Sequence, residues 1–115
     1  MTTKMTKKAQ AEQDRQEAIT ELRKIFPKGS TVGVIIRHVS RSGMQRTISV
    51  MTVKGEIRNV SSLAARALGW SMNYGFHDGV KVNGAGMDMG FHLVYSLAQT
   101  LYGGREGYAL KHRQI

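Results

Sequence analysis

Between Gly29 and Gly55 the chain places Arg37, Arg41, Arg46, Lys54 and His38, and no Asp or Glu. Guanidinium groups present planar forks of N–H donors that match phosphate oxygens in pairs, so arginines gathered without carboxylates suit an anion. Arg37 and Arg46 flank the turn-forming run Ser40-Arg41-Ser42-Gly43, so the three arginines are expected to converge at one end of a hairpin. Basic residues also keep hairpin ends and sheet edges soluble, which is the plainer account of the same residues. A second candidate is Asn83-Gly84-Ala85-Gly86-Met87-Asp88, a glycine loop leading into a helix. There Gly84 and Gly86 would let a phosphate approach backbone amides at a helix N-terminus. No Gly-Lys-Ser/Thr follows it, so it is not a nucleotide P-loop, and Asp88 can serve simply as a cap. Trp70, Tyr74 and Phe76 bring aromatic rings to one short stretch: Trp70 reads as core filling, Tyr74 and Phe76 as rings able to stack on a base. Near the C-terminus Lys111, His112 and Arg113 extend the basic character, with Arg113 a further phosphate contact.

Catalytic chemistry is harder to draw. Asp88 and His92 stand one helical turn apart and His77-Asp78 lies upstream, which sketches a metal-dependent nuclease but lacks a recognised ligand spacing. With no cysteine, no serine set in a nucleophile elbow and no other paired carboxylates, the expectation is a protein that is not an enzyme. No metal and no cofactor is expected.

These residues need elements to hold them. Ala, Gln, Glu, Lys and Arg dominate from Met5 to Phe26, predicting a helix over about Lys8–Ile25 that Pro27 and Gly29 stop. Its mixed charges read as an ordinary solvated face, and residues 1–8 as a frayed tail. Thr31–Val39 is β-branched and Thr47–Val53 alternates polar with apolar, giving two antiparallel strands, with a short third over Ile57–Val60. Asn59 or Ser61 can cap a helix over Ser62–Leu68 that Gly69 closes. Trp70–Val82 suggests a small hairpin or loop. Met87, Phe91, Val94, Leu97, Ala98 and Leu101 recur at helical spacing, predicting a central buried helix up to Tyr102, and Glu106–Arg113 alternates as a last strand. The expected fold is α+β: a single small domain over residues 1–115, an antiparallel sheet with an N-terminal helix and a central buried helix.

Composition sets the class of partner. The 115 residues carry 17 Lys and Arg against 8 Asp and Glu, a net charge of +9, with 41% hydrophobic residues. That is the composition of a folded chain, not of a disordered one, and its charge points to an anionic partner. No apolar run approaches the roughly 18 residues of a membrane span, and no secretory leader opens the chain, so a cytoplasmic protein without a membrane is expected. For so small a chain, a ligand pocket shared between subunits of a homo-oligomer is expected.

Three stretches carry a resemblance: Arg37-His38-Val39-Ser40-Arg41-Ser42-Gly43-Met44, Gly84 through Tyr95, and Gly107 through Arg113. Together they resemble small proteins encoded by bacteriophages and prophages, over most of the chain from Thr31 onward and outside the N-terminal helix. The resemblance implies a host-cell cytoplasm and a setting in which inhibitors of bacterial defence are frequent, some sequestering cyclic-nucleotide or cyclic ADP-ribose signals and some blocking CRISPR effectors. The expectation is a non-enzymatic anti-defence protein that sequesters a phosphate-bearing nucleotide signal through Arg37, Arg41, Arg46, Gly84, Gly86 and Arg113, with Tyr74 or Phe76 stacking on the base. The alternative is a basic protein that binds nucleic acid, or a defence effector such as a CRISPR complex, and inhibits it. A nuclease using Asp88 and His92 ranks last.

Overall fold

The computed structural model describes residues 6–38, 45–53, 55–70, 72–73, 79–83 and 89–115. Helix α1 spans Lys7–Ile25, opened by Thr6, whose hydroxyl accepts the Ala9 amide at 3.1 Å. Lys7 and Lys8 are therefore helical and not part of a tail. Strands β1 (Thr31–His38) and β2 (Gln45–Thr52) pair antiparallel, α2 covers Ser61–Leu68, and β3 (Met72–Asn73) pairs antiparallel with β4 (Gly79–Asn83). Helix α3 (Met89–Tyr102) and strand β5 (Lys111–Gln114) complete an α+β fold with a five-stranded sheet in the order β3-β4-β2-β1-β5.

The sheet is not wholly antiparallel, because β5 lies parallel to β1, pairing Thr31 with Lys111 and Val34 with Gln114. The expected alternation from Glu106 begins only at Lys111. The preceding residues form turns, tied where the Gly29 amide donates to Ala109 O at 2.6 Å and the Lys111 amide to Ser30 O at 2.8 Å. Those bonds start β5 beside the beginning of β1, so both strands run the same way. α3 lies in the crossover that carries the chain from β4, past β2 and β1, to β5 at the far edge, a connection too long for a hairpin.

The three described helices lie on one face. Val32 and Val34 of β1, Ile48 and Val50 of β2 and Val80 of β4 form one buried cluster with Ala18, Ile19 and Leu22 of α1, Ala64, Ala65 and Ala67 of α2, and Leu93, Val94, Leu97, Ala98 and Leu101 of α3. Gly90 of α3 touches down directly on β1 and β5: a Cβ there would stand 2.8 Å from His112 Nε2 and 3.0 Å from Val34 Cγ2. Phe91, expected in the buried stripe, is instead 37% exposed, and Leu93 takes the core position. Trp70 is half-buried against the core, as expected of it.

Two arginines of α1 do more than solvate it. Arg15 Nε donates to Ala67 O at 3.1 Å and Arg23 Nε to Leu101 O at 2.6 Å. Each satisfies a carbonyl in the last turn of a neighbouring helix, where backbone acceptors lack partners and the helix dipole favours a cation.

The segment expected as a third strand makes a single bridge, Asn59 to Met51. Side chains replace the rest of the ladder. The Val50 amide donates to Ser61 Oγ at 2.8 Å and the Arg58 amide to Thr52 Oγ1 at 2.8 Å. Helix α2 opens at Val60 with no side-chain cap of its own; Asn59 Oδ1 accepts the Ser61 amide at 2.9 Å from one residue further back. Gly69 closes α2 in the left-handed conformation, at φ 71°.

A candidate anion-binding face on the sheet

Side chains alternate across a strand and directly paired residues share a face. With Val34 opposite Val50 on the helix side, the other side of the sheet carries Ile35 and Arg37 of β1, Thr47, Ser49 and Met51 of β2, and Lys81 of β4. Parallel pairing adds Lys111 and Arg113 of β5, opposite Thr31 and Gly33. No described helix packs on this face. Arg37, Lys81, Lys111 and Arg113 are all exposed, and none is in an ion pair among the described residues. Lys81, Thr47 and Arg37 form one cross-strand row, the two cations two strand spacings or about 10 Å apart at the backbone. Arg113 sits four residues down β1 from Arg37, about 13 Å along the strand.

The middle of the face is apolar or small. Ile35, Met51 and Val53 are half-buried, Thr47 and Ser49 are buried, and the Ile115 and Val53 side chains lie over Gly33. No described strand contains an Asp or Glu. Of the described carboxylates, Glu12, Asp14, Glu17 and Glu21 are on α1, Glu56 is in the turn after β2, and Glu106 faces Lys28 at 3.7 Å. Nothing on the strands themselves offsets the four positive charges.

The expected three-arginine clamp is divided by the register. His38 pairs with Arg46 and Arg37 with Thr47, so Arg46 belongs to the helix side and Arg37 to the opposite one. Arg46 is half-buried there with its Nε enclosed. Arg41, Tyr74, Phe76, Gly84 and Gly86 lie outside the described residues, as do His77, Asp78 and Asp88. His92 is exposed on α3. Arg113 joins Arg37 on one face. Lys81 is the cation that reasoning from the sequence passed over, although Val80-Lys81-Val82 carries the strand alternation that would have flagged it.

A groove of about 940 Å³ opens at the far end of the β1–β2 pair, between Ile25, Phe26, Pro27 and Lys28 on one side and Thr52, Val53, Glu56 and Arg58 on the other. It contains none of the expected ligand residues and mixes Glu56 with its two cations, so the basic face is the better anion site.

The fold and this face together define an α+β sheet backed by helices on one side and carrying exposed cations on the side where no described helix packs. Comparison with known proteins finds no matching family model, no similar curated protein and no similar solved structure. Among the described residues no helix is long and apolar enough to cross a membrane.

Proposed function

We propose that the protein binds an extended, phosphate-bearing ligand on the face of its sheet where no described helix packs, and acts by occupying it, without turnover. The observation that supports this is the set of exposed cations Arg37, Lys81, Lys111 and Arg113, in no ion pair among the described residues, on described strands that carry no carboxylate. Spread from one end of β1 to the other, they match several phosphates in succession better than the single cluster of a compact nucleotide. The narrower idea of an arginine clamp closed on a nucleotide signal loses support, since Arg37 and Arg46 face opposite ways. In the phage setting that the three motifs imply, such a binder would counter a defence system stoichiometrically, by holding a polyanion that the defence needs.

Labelled inorganic polyphosphate provides the test, with fluorescence anisotropy read over a series of salt concentrations. Wild-type protein is expected to bind with an affinity that falls steeply as salt rises, because neutralised phosphates release their counterions. Arg37→Ala together with Arg113→Ala should weaken binding and flatten that slope. Wild-type affinity and slope in the double variant would overturn the assignment.

A further inference from the structure

Two of the three motifs meet in space around a cluster of rings. Tyr95 on α3 packs edge-to-face on Tyr108, with ring centroids 5.2 Å apart, and Phe91 lies 6.1 Å from Tyr95 and 6.2 Å from Tyr108. These separations are those of favourable aromatic pairs. Gly107 permits the approach: a Cβ there would come within 2.2 Å of the Tyr95 ring. Yet Tyr108 is 78% exposed. The ring thus meets solvent over most of its surface while contacting Tyr95 and Phe91.

The residues that flank Tyr108 along the chain are basic. Arg105 is exposed three residues before Tyr108, and Lys111 and Arg113 follow on β5. The neighbouring carboxylate, Glu106, is engaged by Lys28. An apolar protein surface would gain little from such a rim, whereas an unpaired base stacks on an exposed ring while adjacent phosphates meet cations. We propose that Tyr108, braced by Tyr95 and Phe91, is a stacking platform for an unpaired base, and that the extended ligand of this protein is single-stranded nucleic acid. The inference rests on the anion-binding reading of the sheet and adds the β5 edge, where the strand would pass from the basic face to the rings.

The experiment compares fluorescence anisotropy for an oligothymidylate, a blunt duplex of the same length and polyphosphate, using the full chain and its Tyr108→Ala and Tyr108→Phe variants. Tyr108→Ala should weaken oligothymidylate binding about tenfold, the loss of one stacked base. It should leave duplex and polyphosphate binding unchanged, and Tyr108→Phe should keep wild-type affinity. Because the side chain is exposed, the alanine variant is expected to melt within a few degrees of wild type, which separates lost stacking from lost folding. Unchanged oligothymidylate affinity in Tyr108→Ala overturns the inference, as does an equal loss on all three probes. Polyphosphate binding without oligothymidylate binding also overturns it while leaving the anion-binding face standing. Failure of the wild-type protein to bind polyphosphate removes both.

Discussion

Gly90 sets two effects of known size against each other. Replacing a helical glycine by alanine favours the helix by about 1 kcal/mol, because glycine surrenders more backbone freedom on folding. Here the new methyl would stand 2.8 Å from His112 Nε2, 3.0 Å from Val34 Cγ2 and 3.4 Å from Ile36 Cδ1. Val34 is fully buried and fixed in the β1–β2 ladder, so it can give by only a few tenths of an ångström. The His112 ring must move, and its enclosed Nε2 has no hydrogen-bond partner among the described residues. Overpacking of this kind costs about 1–3 kcal/mol, which outweighs the helix gain. Gly90→Ala should therefore lower stability by about 1 kcal/mol, a fall in Tm of about 4 °C for a chain of this length. Gly104→Ala is the control: nothing lies within 4 Å of its Cβ position and its φ is not positive, so it should leave Tm unchanged or raise it slightly. Differential scanning calorimetry on both variants reads the difference. A Tm for Gly90→Ala at or above that of Gly104→Ala would mean that helix propensity wins, and that α3 does not rest on β1 as closely as described.

Ser61→Ala should cost about 1–3 kcal/mol in chemical denaturation, since it strips the buried Val50 amide of its acceptor and Asn59 of a donor at 2.6 Å; a loss below about 0.3 kcal/mol would mean that another group takes over. Tyr102 donates its phenol proton to Phe26 O, and burial, opposed by nearby Arg23, raises its pKa above the ordinary 10.0. The folded state then holds this proton more tightly than the unfolded state, so the contribution is complete below about pH 10 and is lost as pH rises through the folded value. Wild-type protein should accordingly lose stability more steeply above pH 10 than Tyr102→Phe, and parallel pH profiles would refute that.

Much of the framework was legible locally. The helical spacing of Val94, Leu97, Ala98 and Leu101, the β-branched run of β1, the alternation of β2 and the stop at Gly69 each depend on residues within a few positions of one another, and each appears in the structure. The failures depend on partners further away. Phe91 carries the right spacing for burial but faces Tyr108, which arrives from seventeen positions downstream. Ile57–Val60 has strand composition, yet Thr52 and Ser61 hydroxyls supply the bonds that a continuous ladder would have made. Arg15 and Arg23 look like solvent charges until α2 and α3 end beside them.

The sequence by itself determined the alternation of β2, the absence of carboxylates between Gly29 and Gly55, and the strongly basic charge of the chain, because composition and period are local properties. It did not determine which cations share a surface. Arg37 and Arg46 oppose each other because His38, not Arg37, pairs with Arg46, and a one-residue slip in that hairpin would have put both on one face. Arg113 reaches the face of Arg37 only because β5 joins β1 in the register that pairs Arg113 with Gly33. Register and strand order are set by packing across the whole sheet, so the basic face and the ring cluster beside it exist only in the tertiary structure.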